Sequence, residues 1–340
     1  MVKDVKVILN KEDKILHGKF INDKLYIEAT PLFDGLNWYG TWVKEFDTYK
    51  VSYSNVRVRE MSEYDFKGIY LNFDKISVEK WNVSFDEKGI PKTNFRWGTY
   101  HYPITIAHYG LQHHGLYLIS NQEVNKQIFL KVADWLLENQ NENGSWASYF
   151  DHMYYKGRTQ VMNSPWCSSL GQGLSISVLT RAFHITGERK YLDSALEGFK
   201  IYAIPVENGG VLRRFENEYL FYEEYPTEPA SYVLNGFIYS LLGLYDLYKT
   251  SNDVLVEFYF LEGLKTLKRM LPLYDLGNRT AYDLTHYTTD GGFPNVARWG
   301  YHVTHVHLLM AVYAIDQDPK VKTILNRWID YIDGKTVREN

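Results

Sequence analysis

The chain has 340 residues, of which 45% are hydrophobic and 23% are charged; these proportions favour a globular protein with a sizeable core and argue against disorder. The net charge of -4 supplies no overall positive field, so nucleic acid and anionic membrane surfaces are not expected partners. The single cysteine, Cys167, excludes an internal disulfide and any multi-cysteine zinc site.

The N-terminal residues lack the apolar core of a signal peptide, and no stretch reaches the roughly 18 apolar residues of a membrane span. These features predict a soluble, cytoplasmic protein without a membrane segment. The aromatic content of 16%, with 29 tyrosines, is typical of carbohydrate clefts, in which flat rings stack on sugars. An aromatic core is the alternative explanation.

Residues 1–95 are predicted to form a β-rich N-terminal region. Apolar and polar residues alternate at 6–9, 24–28 and 75–79, and turn-forming residues bound these stretches. A period of two with such boundaries is typical of short strands and hairpins.

From about residue 103 the apolar residues recur with a helical period. Cap and turn signals end the segments, among them Gly144, Gly187 and Pro205. The eight predicted helices are 104–118, 125–140, 172–186, 191–202, 231–248, 254–270, 302–315 and 320–332.

These helices form four consecutive pairs, and the first members of successive pairs begin roughly 60 to 70 residues apart. This spacing indicates a loose internal repeat in which short and long loops alternate. Pairs of this kind stack side by side and curl into a toroid, in which one helix layer packs on the other. The sequence therefore predicts a mainly α fold, with an (α/α) barrel of about four helix pairs at 96–340 and a small β-rich region at 1–95.

Long loops of such a barrel gather at one end, where segments entering different inner helices converge on one cleft. Four entry segments carry polar and aromatic residues: 95–103, 166–171, 223–225 and 301–302. We therefore expect the functional site at this end.

Two adjacent glutamates, Glu223 and Glu224, supply the carboxylate that acid and base chemistry needs. They lie between aromatic residues and ahead of Pro226, which predicts an extended or turning segment rather than a solvated helix face. Desolvation of one of them would raise its pKa toward the range of a general acid or base.

A second aromatic and cationic segment, 282–305, contains Tyr282, Arg298, Tyr301 and His302. A phenol is neutral at pH 7 and becomes a base only where cations or hydrogen-bond donors stabilise the phenolate. Arg298 and His302 are suitable for this purpose.

The order of several motifs resembles that of the D-glucuronyl C5-epimerases, which convert glucuronate to iduronate within heparan-type chains. The main matches are Tyr-Glu-Glu-Tyr-Pro-Thr at 222–227, Val-Leu-Asn-Gly-Phe at 233–237, Tyr-Asp-Leu at 282–284 and Asn-Val-Ala-Arg-Trp-Gly-Tyr-His at 295–302. With weaker matches they cover most of the chain from residue 95 onward.

The resemblance implies an (α/α) barrel catalytic domain, an acidic, heparosan-like polysaccharide as substrate and, by analogy, a homodimer. The essential residues of the family correspond to Glu224, Tyr225, Tyr282 and Tyr301. The candidate substrate contacts are Trp97, Tyr100, Tyr102, Asn235, Arg298 and His302.

Two departures from the family concern the substrate. Animal members carry a β-sandwich ahead of the helical domain, and residues 1–95 are too few to supply all of it. They also have arginine after Tyr-Asp-Leu, where this chain has Thr285. Both departures leave the accepted polymer, and its sulfation in particular, open.

Epimerisation at C5 removes the proton beside the uronate carboxylate and returns one to the opposite face of the ring, so it needs a base and an acid on opposite sides. We predict that Glu224 and Tyr301 form this pair, while Tyr225 and Tyr282 orient the carboxylate or help to carry the proton. A buried ion pair with arginine is the alternative role for Glu224, and packing is the alternative for the tyrosines.

Three other functions remain open from the sequence. A polysaccharide lyase begins with the same proton abstraction but then expels the O4 leaving group, a hydrolase needs two carboxylates across the bond, and a glycan-binding protein needs no chemistry. No metal is expected, because no carboxylate completes a ligand pattern with His302, His305 and His307. No cofactor is expected either, since no phosphate-binding glycine loop follows a strand.

Overall fold

The computed structural model describes residues 2–9, 12–28, 39–43, 48–52, 58, 61–289 and 292–337. The first half of this set holds most of the strands. Three antiparallel sheets occur here. The first contains β1 (Val2–Leu9), β2 (Glu12–Ile21) and β3 (Lys24–Ile27), and the second contains β4 (Tyr39–Val43) and β5 (Thr48–Ser52). The third contains β6 (Val83–Phe85), β7 (Pro91–Phe95) and β8 (Gly98–Tyr100).

The strand predicted at 6–9 lies within β1, and the strand predicted at 24–28 matches β3 except for its last residue. The strand predicted at 75–79 is wrong, because this stretch contains parts of two 3₁₀ turns, Phe73–Lys75 and Val78–Lys80. Val78 is fully buried, and its backbone N–H donates to the Gln112 side chain at 2.7 Å instead of to a neighbouring strand. The division of the chain at residue 95 stays a prediction.

The helical part confirms the eight predicted helices to within a few residues. Leu234 rather than Ser231 begins the fifth long helix, because the hydroxyl of Ser231 and the backbone N–H of Tyr232 are bonded to Glu223. The helices are α1 (Pro103–Ser120), α2 (Glu123–Glu138), α3 (Ser169–Thr186), α4 (Arg189–Phe199), α5 (Leu234–Ser251), α6 (Val254–Met270), the short α7 (Thr285–Thr288), α8 (Trp299–Asp316) and α9 (Pro319–Ile332).

Among the long helices, the first member of each pair forms an inner layer and the second an outer layer. Helix α3 packs between α1 and α5, and α5 also contacts α8, while each inner helix packs on its own outer partner. Gly173 and Gly243 let α3 and α5 approach closely, since a Cβ on Gly243 would overlap the backbone of Gly173. The described residues therefore form the predicted mainly α fold, an (α/α) toroid of four helix pairs.

Short antiparallel strand pairs lie in the long loops that precede the inner helices. They are β9 (Ala147–Ser148) with β12 (Trp166–Cys167), β10 (His152–Met153) with β11 (Val161–Met162), and β13 (Leu212–Phe215) with β14 (Tyr219–Tyr222). Because β12 leads into α3 and β14 leads into the Glu223-Glu224 segment, these loops bring their side chains to the same end of the toroid.

Within the described residues, no helix has the length and apolar character needed to cross a membrane.

A buried ion pair joins two inner helices away from that end. Arg181 on α3 donates to Asp246 on α5 at 2.5 Å, and both side chains are fully buried. Arg181 also donates to the backbone carbonyl of Gly68, and the hydroxyl of Tyr64 donates to Asp246 at 3.0 Å. The pair therefore fixes the segment around residues 64–68 against the inner layer.

Asp246→Ala is expected to lower the free energy of unfolding by about 3–5 kcal/mol, because it leaves the Arg181 charge buried without its partner. Chemical denaturation of the purified variant measures this loss. The matched control is Asp193→Ala, which removes the partner of Arg189 in an exposed pair at 2.7 Å and should change stability by less than about 1 kcal/mol. Equal losses in the two variants would contradict the structural role of the buried pair.

Candidate active site

Glu224 lies where β14 passes into the loop before α5, and its side chain is buried. Its Oε2 accepts a hydrogen bond from Asn235 Nδ2 at 3.1 Å. Gly236 is required next to it, because a Cβ at this position would overlap the Glu224 side chain. The Asn-Gly sequence at the start of α5 thus provides both a donor to the carboxylate and the space it occupies.

Glu223 is the glutamate that forms a buried ion pair. Its Oε1 lies 3.3 Å from Nε of Arg213, and its Oε2 accepts from the Ser231 hydroxyl at 2.9 Å and the Tyr232 backbone N–H at 3.1 Å. These contacts hold the loop against the β13–β14 hairpin. The buried ion pair that was the alternative role for Glu224 is therefore formed by its neighbour.

Glu224 has a different electrostatic environment. Burial raises the pKa of its carboxyl to about 8, and the charge of Glu223 adds to the rise, while hydrogen bonds from Tyr225, the backbone of Gly236 and Asn235 oppose it. No ion pair to Glu224 occurs in the part of the chain that the structure describes. A carboxyl with a pKa close to neutral can exist in both protonation states, as a general acid or base requires.

A group of phenols surrounds this carboxyl, and we call it the tyrosine cluster. Burial raises the pKa of each phenol, and the negative charge of Glu224 raises it further. Its members are Tyr102, Tyr154, Tyr225, Tyr239, Tyr282 and Tyr301. The structure thus brings the predicted Tyr102, Tyr225, Tyr282 and Tyr301 together around Glu224.

Tyr301 has 45% of its surface exposed and lies in the first turn of α8. Its ring packs edge-on against Tyr282 with 4.8 Å between ring centroids. Burial and the charge of Glu224 raise the pKa of Tyr301, whereas the positive charge of Arg298 and a hydrogen bond with Tyr282 lower it. Arg298 is exposed immediately before α8, so it lies where a bound anion can reach it.

Tyr154 and Asp283 also belong to this site, although the sequence did not single them out as site residues. The Tyr154 hydroxyl donates to Asp283 Oδ2 at 2.5 Å, and its ring stacks on Tyr225 with 4.6 Å between centroids. Asp283 is fully buried and also accepts from Asn295 at 2.7 Å and the Thr285 hydroxyl at 2.7 Å. The one available signal was the position of Asp283 between Tyr282 and Leu284 in a matched motif. Tyr154 lies in a loop with no recognisable pattern.

The predicted aromatic contacts before α1 form the rim of the site. Trp97 is 51% exposed and stacks on Phe95 with 5.0 Å between ring centroids, while Tyr100 packs on Phe150 at 5.0 Å. Tyr102, the residue before α1, reaches farther inward to the tyrosine cluster. Trp97 and Tyr100 therefore present ring surface near the opening rather than at the carboxyl.

His302 has a structural role in place of the predicted substrate contact. Its Nε2 donates to the carbonyl of Trp328 at 2.9 Å, and its Nδ1 accepts from the backbone N–H of Thr280 at 3.2 Å. His302 is fully buried between α8 and α9, so both ring nitrogens are occupied by the protein. Within the described ranges no group of three metal-binding side chains occurs.

Comparison with known proteins assigns the family. The model of the D-glucuronyl C5-epimerase C-terminus matches residues 140–330, more than half of the chain. This chain belongs to that family. The match includes Glu224, Tyr225, Tyr282 and Tyr301.

Two relatives of this C5-epimerase family member match it over only part of their own length. The D-glucuronyl C5-epimerase of Caenorhabditis elegans is 40% identical over 235 residues, which are 66% of this chain and 38% of the relative. An uncharacterised protein of Methanocaldococcus jannaschii is 29% identical over 175 residues, which are 49% of this chain and 55% of the relative. The chain thus matches well under two thirds of the length of either protein.

Among solved structures, an unsaturated glucuronyl hydrolase from Streptococcus agalactiae aligns over 69% of this family member and 60% of its own chain, with a TM-score of 0.46 and 16% identity. An α-mannanase from Bacteroides thetaiotaomicron aligns over 77% of this chain and 64% of its own chain, with a TM-score of 0.45 and 12% identity. Similarity at this level carries no functional argument for the chain.

Proposed function

We propose that this chain is a carbohydrate epimerase that inverts C5 of D-glucuronate to L-iduronate in a heparosan-like polysaccharide. One observation carries the proposal: the buried Glu224 carboxyl in the loop before α5, with a pKa of about 8, interacts electrostatically with the phenol of Tyr301 in the first turn of α8. These are the two groups that a proton transfer across a sugar ring requires.

In the proposed reaction, the Glu224 carboxylate removes the C5 proton from the epimer that presents this proton to it. The electron pair of the broken C–H bond is delocalised onto the uronate carboxylate, where Arg298 and the phenols of Tyr225 and Tyr282 stabilise the added charge. The Tyr301 hydroxyl then donates its proton to C5 from the other face. Glu224 is left protonated and Tyr301 ionised, and return of a proton from the carboxyl to the phenolate, by way of solvent or neighbouring phenols, completes the cycle.

The ionisation states favour this assignment of base and acid. At pH 7 a carboxyl with a pKa near 8 is mostly protonated but keeps an ionised fraction of about a tenth, whereas the Tyr301 phenol, with a raised pKa, is neutral and cannot act as a base. Glu224 is therefore the group that starts as the base. For the opposite epimer the roles reverse, with the Tyr301 phenolate as the base.

The remaining candidate contacts fit a polymer in this site. Trp97 and Tyr100 offer ring surfaces to sugars at the rim, and Tyr102 and Asn235 line the carboxyl. The buried Oδ1 of Asn235 has no hydrogen-bond partner among the described residues, so it is an acceptor for a substrate hydroxyl.

Incubation with heparosan in deuterated water tests the proposed function. We expect deuterium at C5 together with iduronate, both measured by NMR. An unsaturated product that absorbs in the ultraviolet would show a lyase instead, and shortened chains without such a product would show a hydrolase. Polymer that binds but remains unlabelled and unchanged would leave glycan binding as the function.

A further inference from the structure

A cavity of about 320 Å³ lies beside the tyrosine cluster, between α1 and α8. Gly300, Val303, Thr304 and His307 line it from α8 at helical spacing, and His108 lines it from α1. The segment that contains the two 3₁₀ turns closes the remaining side. We call this space the seam cavity.

Two residues place the seam cavity next to the proposed active site. Tyr239 lines the cavity and also belongs to the tyrosine cluster, because burial and then the charges of Glu224 and Tyr301 raise the pKa of its phenol. Gly300 lines the cavity and directly precedes Tyr301. A polymer with its uronate between Glu224 and Tyr301 therefore has its next sugar within reach of this cavity.

The lining has the character of a sugar site. Trp81 is 42% exposed and packs edge-on against His108, with 5.3 Å between ring centroids, and Phe73 stacks on the same imidazole at 4.9 Å. Exposed ring surface of this kind binds the apolar face of a sugar.

The same cavity lacks a permanently charged cation among the described residues that line it. The described residues that line it include no lysine, arginine, aspartate or glutamate. His108 is uncharged at neutral pH, because burial lowers its pKa to about 4. Its Nδ1 donates to the Ile104 carbonyl at 2.7 Å, which leaves Nε2 as a hydrogen-bond acceptor. A sulfate placed here would lose its hydration without gaining a lysine or arginine as a partner.

We infer that the seam cavity binds the sugar next to the uronate, and that it selects an uncharged sugar over one that carries a sulfate. The inference rests on the proposed function and adds a specificity to it. Trp81 provides the stacking surface, and Thr304 lies at the wall where a charge can be introduced.

The test compares heparosan with the same polymer after chemical N-sulfation, using initial rates of deuterium uptake at C5. The wild-type protein should show a kcat/KM at least about tenfold higher on the unsulfated polymer, because an unpaired anion is costly to bury. Trp81→Ala should raise KM for the unsulfated polymer about fivefold with little change in kcat, since the lost stacking contributes to binding rather than to the reaction.

Thr304→Lys and Thr323→Lys form a matched pair. Each threonine lies in a helix and donates its hydroxyl to the carbonyl four residues before it, but Thr323 is exposed on α9, outside the seam cavity. Thr304→Lys should reduce the preference for the unsulfated polymer at least about threefold, because the new cation attracts sulfate. Thr323→Lys should leave the preference as in the wild type.

Equal kcat/KM values of the wild type for both polymers would overturn the inference while leaving the proposed function intact. So would identical preferences in the two lysine variants. If neither polymer takes up deuterium with the wild-type protein, the proposed function is wrong and the inference falls with it.

Discussion

Glu224→Gln is expected to lower the rate of deuterium uptake at C5 by about 10³-fold or more, because an amide cannot accept the proton and general base catalysis contributes about 10²–10⁴-fold. The structure predicts little disturbance of the fold, since Gln has the shape of the carboxyl and remains within reach of Asn235. Initial rates on heparosan in deuterated water, with folding checked by circular dichroism, measure the effect. Uptake within tenfold of the wild type would rule out Glu224 as the base.

The adjacent Glu223→Gln is the control, because it makes the same chemical change one residue away. It weakens the buried pair with Arg213, so we expect the free energy of unfolding to fall by about 3 kcal/mol. The rate per folded molecule should stay within about tenfold of the wild type, since Glu223 takes no part in the proposed proton transfer. Comparison of the Glu224→Gln and Glu223→Gln variants thus separates loss of activity from loss of stability.

The raised pKa of Glu224 also predicts two pH effects. For the epimer on which Glu224 is the base, the rate should increase with pH through about 8, because the carboxyl must be ionised. Stability changes in the opposite direction, because the folded protein holds the Glu224 proton more tightly than the unfolded chain does. The stabilisation that this protonated carboxyl provides is complete below about pH 4.5 and is lost as the pH rises toward 8. Above pH 8, Glu224→Gln should therefore be more stable than the wild type by about 1–3 kcal/mol.

Tyr301→Phe is expected to abolish inversion while sparing part of the exchange. Without the hydroxyl, no proton reaches C5 from the second face, so conversion between glucuronate and iduronate should fall by about 10²–10⁴-fold. Glu224 can still remove the C5 proton and return a deuteron to the same face. One epimer should therefore take up deuterium with its configuration retained, which NMR distinguishes from inversion.

Tyr287→Phe is the matched control for this substitution. Tyr287 is also an exposed tyrosine after the Tyr-Asp-Leu motif, but its ring packs on His286, with 4.2 Å between ring centroids, and it is not a member of the tyrosine cluster. Both inversion and exchange should remain within about twofold of the wild type in this variant. If Tyr301→Phe still inverts C5 at a comparable rate, another tyrosine of the cluster is the acid.

The sequence located the parts of the site more accurately than it assigned their roles. Glu224, Tyr225, Tyr282 and Tyr301 could be predicted because they lie in ordered motifs at the entries of inner helices. Tyr154 could not, since its place in the cluster depends on Asp283, a hydrogen-bond partner 129 residues away. His302 lies in a matched motif, but its contacts with Thr280 and Trp328 give it a packing role that no local pattern indicates.

The sequence by itself determined the eight helices and their pairing, because apolar periodicity and cap residues act over a few neighbouring positions. The tertiary structure alone decided which of two adjacent glutamates is ion-paired and which is desolvated without a cation. That difference arises from Arg213 on one side and Asn235 with the tyrosine cluster on the other. Burial and charge at a side chain are set by residues that meet only when distant segments pack together, so two identical neighbouring side chains acquire different partners.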